Sequence, residues 1–333
     1  MLDERKTTIL RAVVQEYVAT GQPVGSTHVA NMPSVKVSSA TVRNEMATLE
    51  QEGYLAQPHT SAGRIPTDKG YRHFVDSLTP EGVLASEDAT QVGDFFRGTH
   101  GRLEDLLRHT TTLLANITHH TAVVVGPEAD ATTVRAVHIS RVTPRTATVV
   151  VVLSNHNVEN ETIQVSEDIS EEHIAQAVSH LSRTLVNRSL GDIDTVPSVN
   201  DAHVDAVCFA TIHALSRHRT EKPVFVGGAS SLAGAFDAVD IVRDVLSTIE
   251  QQFVVVSLLQ DLLDRGLSVA IGTEHGIEPL AACSVVVSPV IADGEVIGSV
   301  GVLGPTRMNY PQALNSVEVV SDQLGRHIAE GTS

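Results

Sequence analysis

Residues 38–53 carry the side chains best suited to chemistry with a nucleic acid. Hydroxyl, amide and guanidinium groups recur there, and such groups hydrogen-bond to base edges and phosphates. At about 100° per residue, one side of the stretch has no carboxylate, because its three glutamates fall on the flanks. The acid-free side consists of Ala40, Thr41, Asn44, Ala47, Thr48 and Gln51. This pattern favours a helix that enters the major groove of DNA, and an ordinary surface helix is the alternative.

The same stretch has the start and stop signals of one short helix. Ser38 or Ser39 can accept a hydrogen bond from the free N–H groups of the first turn. Gly53 suits the left-handed conformation that ends a helix. The apolar stripe that would pack against neighbouring elements, at spacing i, i+4, i+7, consists of Val42, Met46 and Leu49.

The neighbouring elements complete a helix-turn-helix pattern with a hairpin behind it. Apolar residues at helical spacing predict helices over 3–20 and 26–32, followed by the helix of 38–53. Residues 54–57 and 64–67 are extended runs on either side of a turn rich in Pro, Ser and Gly, which predicts a β-hairpin. A hairpin placed directly after a recognition-type helix is typical of a wing, and a fourth helix, 69–78, is predicted to follow it.

The turn of the hairpin carries cations and hydroxyls that can bind phosphate. Arg64 could instead form a structural salt bridge, so both roles remain open for it. We expect the first turns of the third helix to reach base edges, since Asn suits adenine and Arg suits guanine. The candidate DNA-binding residues are therefore Ser39, Thr41, Arg43, Asn44, Thr48, His59, Thr60, Ser61 and Arg64.

Charge is distributed unevenly along the chain. The 333 residues have a net charge of −17, yet residues 1–78 hold eight basic and eight acidic side chains and are neutral. All the acidic excess therefore lies beyond residue 78, and a neutral module on an acidic body could approach DNA in one orientation only. Hydrophobic residues make up 42% and charged residues 19%, which indicates a globular protein.

Other classes of site are poorly supported by the residues. Two cysteines make no disulfide framework, and no apolar run is long enough for a membrane span, so we expect a cytoplasmic protein without a membrane anchor. The sixteen histidines show no metal-ligand spacing, and the glycines at 298, 301 and 304 lack the Lys-Ser/Thr ending of a phosphate loop. We expect no catalytic residues, no metal and no cofactor. An enzyme or small-ligand sensor that uses the C-terminal sheet region is the second function class.

Two blocks of residues resemble the HrcA family of heat-inducible transcription repressors. The first covers 38–46, 53–55 and 57–72, and the second, shorter block covers 298–310. The resemblance implies an α+β multidomain fold, with an N-terminal winged helix-turn-helix and a GAF-like sheet domain that carries an inserted dimerisation segment. It also implies a homodimer that binds an inverted-repeat operator, CIRCE, upstream of chaperone genes, and promotion of the active repressor by the GroEL chaperonin.

The resemblance and the strand and helix patterns together predict the domain boundaries. We expect a winged helix over 1–78, a linker over 79–90 rich in Pro, Gly and acids, and a GAF-like domain formed by 91–165 and 263–333. The inserted dimerisation segment is expected at 166–262, where helical patterns interrupt the strands.

Overall fold

The structure, a computed structural model, is an α+β arrangement of helices around three antiparallel sheets in the part of the chain that it describes. No helix in that part is both long and apolar enough to cross a membrane. The described residues are 2–59, 63–78, 84, 86–98, 103–127, 133–154, 158–189, 193, 195–216, 223–233, 236, 239–266 and 268–331.

The first 78 residues form three helices, a short hairpin and a fourth helix, as their pattern predicts. Side chains of Asp3, Ser38 and Thr67 accept hydrogen bonds from the first turns of α1, α3 and α4. Gly21 and Gly53 follow α1 and α3 with φ of +66° and +78°, the left-handed conformation expected at helix ends. The elements are α1 (Glu4–Thr20), α2 (Ser26–Ala30), α3 (Ser39–Gln51), β1 (Leu55–Ala56), β2 (Ile65–Pro66) and α4 (Asp68–Asp76).

The chain beyond residue 78 alternates between helices and strands. The stretch expected to be a linker is partly helical, because a helix already begins at Ser86. The elements are α5 (Ser86–Gly98), α6 (Leu103–Thr118), β3 (Thr121–Val125), β4 (Val134–Thr143), β5 (Thr146–Leu153), β6 (Val158–Gln164), α7 (Glu171–Leu185), α8 (Ala202–Ser216), β7 (Val224–Gly227), α9 (Ala229–Ala233), α10 (Val239–Glu250), α11 (Gln252–Asp264), β8 (Val269–Ile271), β9 (Cys283–Ala292), β10 (Glu295–Pro305) and α12 (Tyr310–Gly331).

A five-stranded antiparallel sheet in the order β7-β3-β10-β9-β8 forms the centre of the body. Both of its faces are covered, because alternate residues of each strand point to opposite sides. On β3, Val124 packs in a core that includes α6 and α12, whereas Val123 and Val125 pack in a core with α10 and α11. The sheet is therefore buried between two layers of helices, which explains the nearly continuous runs of valine in its strands.

A separate unit leaves this sheet after β3 and returns to it at β7. Strands β4, β5 and β6 form their own antiparallel sheet, and α7 and α8 pack against it around a second core. The two ends of the excursion meet, since the Gly126 amide donates a hydrogen bond of 2.8 Å to the Pro223 carbonyl. The strands over 134–164 thus lie in a different sheet from β3, a distinction that strand patterns alone cannot make.

A single core joins the N-terminal helices to the body. Buried residues of α1, α3 and α4 belong to the same cluster as those of α6, α12 and one face of the five-stranded sheet. Tyr71 of α4 lies 5.8 Å from Tyr310 of α12, measured between ring centroids. The first 78 residues are consequently docked on the body through α4.

Helix α4 passes so close to the backbone of Tyr54 that position 70 has no room for a side chain. We therefore predict that Gly70→Ala destabilises the protein. A Cβ at this position would lie 2.2 Å from the Tyr54 carbonyl oxygen. Alanine normally stabilises a helix by up to about 1 kcal/mol relative to glycine, but the clash should reverse the sign and cost about 1–3 kcal/mol. Thermal unfolding followed by circular dichroism measures the change.

Gly93→Ala in α5 is the matched control, because only the end of the Arg97 side chain, at 3.9 Å, is near its added Cβ. This variant should be neutral or slightly more stable. Equal thermal unfolding midpoints for the two variants would show that the packing of α4 does not require glycine at position 70.

Candidate nucleic-acid interface

Helix α3 buries its apolar stripe completely and exposes the polar side predicted from the sequence. Val42, Met46 and Leu49 have no exposed surface. Half of the opposite side is exposed, with Thr41, Ala47 and Thr48 partly covered. Burial of three large side chains fixes the rotation of the helix about its axis. The exposed residues on that side and its edges are Ser39, Ala40, Arg43, Asn44 and Gln51.

The glutamates on the flanks of α3 are all neutralised by cations from other elements. Glu45 pairs with Arg5 of α1, and Glu52 accepts a hydrogen bond of 2.9 Å from Lys6 of the same helix. The hydrogen bond to Glu52 raises the pKa of Lys6 above its ordinary value, so Lys6 remains charged. These pairs hold α1 against α3 and remove the negative charge that would otherwise repel phosphates.

The third glutamate, Glu50, is paired with Arg64 of the hairpin. The Nε atom of Arg64 and one of its terminal nitrogens lie 2.9 and 2.8 Å from the same Glu50 oxygen. The Arg64 side chain is 17% exposed and that of Glu50 is 33% exposed, so the pair is half-buried. The structure therefore places Arg64 in the salt bridge that the sequence left open, where it joins the hairpin to α3.

Only two of the eight cations in the first 78 residues have no partner among the residues that the structure describes. Lys36, just before α3, and Arg43, on its first turns, are both exposed. The other six contact carboxylates, carbonyl oxygens or, for Lys69, the ring of Tyr54. Lys36 was not among the candidates from the sequence, because only the tertiary structure shows that the other six cations are engaged and that Lys36 is not.

The polar groups of α3 differ in how free they are to bind a partner. The Thr41 amide and hydroxyl engage the Ser38 hydroxyl at the start of the helix, and the Thr48 hydroxyl donates to the Asn44 carbonyl at 3.1 Å. The side-chain amide of Asn44 has no hydrogen-bond partner in the described part of the chain. Asn44 can therefore donate and accept at the surface without breaking an existing bond.

The hairpin is anchored to the turn between α1 and α2. Val24 and Arg64 exchange two backbone hydrogen bonds of 2.9 Å, which adds a third short segment to the β1–β2 pair. Gly63 lies against this segment, and a Cβ there would be 2.5 Å from the Val24 backbone. This contact fixes the base of the hairpin beside α3. His59 is exposed at its outer end, whereas Thr60 and Ser61 lie outside the described residues.

No candidate metal site is found among the described residues, because no three His, Cys, Asp or Glu side chains lie close enough there to hold an ion. His120 is half-buried, and desolvation lowers its pKa to about 4, so it is neutral at physiological pH. Cys208 and Cys283 are both buried thiols. Burial raises the pKa of Cys208 to about 11 and that of Cys283 to about 12.

Comparison with known proteins gives matches along the whole chain. Residues 104–314 match the family model described as the HrcA protein C-terminal domain. A heat-inducible transcription repressor HrcA of a Nocardioides species is 36% identical and covers 99% of this chain and all of the relative. The protein of the same name from Acidothermus cellulolyticus is 37% identical with the same coverage.

A solved structure supports the fold. A crystal structure of a protein described only as hypothetical superimposes with a TM-score of 0.73 over the full length of both chains. The two sequences are 24% identical, so this likeness bears on the fold alone.

The ion pairs around α3 predict different stability effects for its two nearby arginines. Arg64→Ala should lower the free energy of unfolding by about 1–2 kcal/mol, because it leaves the half-buried Glu50 without its partner. Arg43→Ala is the matched control, since Arg43 is exposed and has no partner among the described residues; it should change stability by less than about 0.5 kcal/mol. Thermal unfolding of both variants at low salt measures the difference. A loss of stability in Arg43→Ala as large as that in Arg64→Ala would contradict the assignment of the pair.

Proposed function

Because the chain belongs to the HrcA family of heat-inducible transcription repressors, we propose that it represses heat-shock genes by binding operator DNA with α3. The observation that carries the role of α3 is its exposed side, which has no unpaired carboxylate. Arg43 on the helix and Lys36 just before it have no ion-pair partners in the described part. Phosphates attract such a surface, and the free amide of Asn44 can read a base edge. The operator, by family resemblance, is the CIRCE inverted repeat of chaperone genes.

We propose that residues 1–78 are a winged helix-turn-helix. The arrangement of α1, α2 and α3 with the β1–β2 hairpin supports this, as does the backbone pairing of Val24 with Arg64. The proposed contacts to bases and phosphates come from α3 and from the hairpin tip. They are Ser39, Thr41, Arg43, Asn44, Thr48, His59, Thr60 and Ser61, to which the structure leads us to add Lys36. Arg64 can join them only if it leaves Glu50 when DNA binds.

We propose that the sheet body is GAF-like and that the inserted segment spans 127–222 rather than 166–262. The support is the hydrogen bond between Gly126 and Pro223, which brings the two ends of the excursion together, and the separate core of the unit between them. The body would then consist of 86–126 and 223–331. In this division β7, α10 and α11 belong to the body, because they cover one face of its sheet.

We propose that the chain acts as a homodimer and that α8 of the inserted segment forms the contact. The inner side of α8 is buried in the core of that unit, and its outer side presents a largely apolar patch on which His213 stacks against Phe209. Phe209 is 74% exposed there, with Ala202 and Ala206 exposed on the same side. A helix that is apolar all round is usually buried on both sides. A two-fold axis would bring the same patch of two copies together and match an inverted repeat.

The proposed partners extend beyond DNA. Promotion of the active repressor by the GroEL chaperonin is implied by the family resemblance and remains a proposal. A cytoplasmic location likewise remains a prediction. The net charge of −17 beyond residue 78 would keep the body away from phosphates, so that only the neutral N-terminal module docks.

The free amide of Asn44 predicts a sequence-specific defect. Asn44→Ala should weaken binding to a CIRCE duplex by about 1–3 kcal/mol and change binding to random DNA little. Lys36→Ala is the comparison variant, because a phosphate contact should weaken binding to both duplexes and reduce the salt slope by about one. Gel shifts with CIRCE and scrambled duplexes at several salt concentrations separate the two patterns. If Asn44→Ala weakens both duplexes equally, it positions the backbone and reads no base.

The exposed phenylalanine of α8 predicts the site of dimerisation. Phe209→Glu should give a monomer in sedimentation velocity and bind the CIRCE duplex at least ~100-fold more weakly, because the second half-site no longer adds to affinity. Phe253→Glu is the matched control, since Phe253 of α11 is 82% exposed but lies outside the inserted segment. A dimer that survives Phe209→Glu, or one that dissociates with Phe253→Glu, would place the interface elsewhere.

A further inference from the structure

Helix α4 belongs to the sequence block that marks the family, yet none of its side chains lies on the exposed side of α3. Lys69 and Gly70 pack back on the end of α3 and the start of the hairpin. Asp68, Tyr71 and Arg72 lie instead against the body. The helix is thus in contact with the DNA-binding module on one side and with the sheet on the other.

Arg72 makes the most extensive contact between the two parts. Its Nε atom donates to Glu274 at 2.9 Å, and a terminal nitrogen donates both to the second Glu274 oxygen and to the Val269 carbonyl, at 2.9 Å from the latter. Glu274 is held in turn by the Ile271 amide, also at 2.9 Å. Two parallel hydrogen bonds between a guanidinium and a carboxylate fix orientation as well as distance. The side chains are 26% and 29% exposed, so solvent competes only in part.

Both charges of this pair are stable at neutral pH. Burial alone would raise the pKa of Glu274, but the hydrogen bonds from Arg72 and from the Ile271 amide outweigh it and hold the pKa below its ordinary value. The contact with Glu274 raises the pKa of Arg72. A carboxyl whose pKa is lowered by folding stabilises the fold above its ordinary value and loses that effect only in acid.

A second contact beside Arg72 depends on a glycine of the body. Gly272 has φ of +56°, and a Cβ there would lie 2.3 Å from the Asp68 carboxylate. Asp68 therefore sits directly on the backbone of residues 272–273, with the Thr273 amide 3.5 Å from its nearest oxygen. Conformation and space both require glycine at this position.

Packing between apolar groups fills only part of the same junction. A cavity of about 730 Å³ lies beside Arg72, between α4, the β8–β9 edge and α12. Its lining includes Val75 of α4, Leu78 just after that helix, and Leu314 and Val317 of α12. The shared core and the Tyr71–Tyr310 contact hold α4 on the body, but apolar packing is incomplete beside Arg72. The polar contacts of Arg72 and Asp68 therefore help to fix the angle between α4 and the body.

The orientation of α4 is transmitted to α3. The Thr67 hydroxyl donates to the Gly53 carbonyl at 2.7 Å, and Lys69 donates to the Glu52 carbonyl at 2.8 Å. Gly70 touches the Tyr54 carbonyl, as described above. These contacts join the N-terminal end of α4 to the C-terminal end of α3, so a rotation of α4 on the body carries α3 with it.

We propose that Arg72 and Asp68, held by Glu274 and Gly272, form a clamp that sets the angle of the recognition helix relative to the body and thereby the half-site spacing that a dimer accepts. Arg72 is a positioning residue in this account, since it touches the body and not DNA. The proposal rests on the proposed dimeric operator binding. Without the clamp, each module would still read its half-site, but the two modules would no longer be held at one separation.

The test measures binding of the full chain to CIRCE duplexes whose spacer is changed by one or two base pairs. Each added pair turns one half-site by about 34° relative to the other, so a rigid dimer should discriminate strongly against it. Arg72→Ala and Glu274→Gln should each bind the unaltered duplex about tenfold more weakly and discriminate at least about fivefold less between spacers. Binding to a duplex with one half-site should remain as in the unsubstituted chain.

Arg11→Ala is the matched control, because it removes a cation from the same module that contacts only Ser77. It should keep the spacing preference, and Arg72→Lys should restore part of it. Glu274→Gln lies in the body and decides the matter if Arg72→Ala fails to fold. If the Glu274→Gln chain discriminated between spacer lengths as strongly as the unsubstituted chain, the proposed clamp would be wrong. An unsubstituted chain that ignores spacing, or does not bind CIRCE, would instead refute the proposed dimeric operator binding.

Discussion

The N-terminal module depends on the requirement that a helix facing a polyanion must carry no free negative charge. Helix α3 and the residue that follows it carry three glutamates, and each is paired with a cation from α1 or the hairpin. The pairs do two things at once, because they hold the neighbouring elements against α3 and cancel its acids. Lys6 and Arg5 secure α1, and Arg64 secures the hairpin. The exposed side is left with polar groups and two free cations among the described residues.

The same pairing of charges predicts that one module on its own binds DNA weakly. With six of its eight cations engaged inside the protein, few remain to release counterions from DNA. The module is neutral overall and is attached to a body with a net charge of −17. We therefore expect non-specific attraction to be small and affinity to come from base contacts and from joining two modules. A body that fixes their relative position is a direct consequence of this need.

The five-stranded sheet is the element to which the other parts are attached. Its β8–β9 edge and the turn at 271–274 receive α4, and the connection between β3 and β7 carries the inserted unit. Helices on both faces bury the sheet, so these attachments project from a rigid support. The proposed DNA-binding module and the proposed dimer contact on α8 are thus connected through one framework, which is what a fixed half-site spacing requires.

The sequence by itself determined the local features of the fold and of α3. Caps, glycine stops and the apolar stripe act within a few residues, so the acid-free side and the hairpin could be predicted from spacing alone. Only the tertiary structure decided which cations are free, since the partners of Arg64 and Arg72 lie 14 and 202 residues away. It also decided to which sheet each strand belongs, because strands in either sheet have the same alternation of side chains. Local periodicity determines which face of an element is buried, but long-range pairing determines what that face meets.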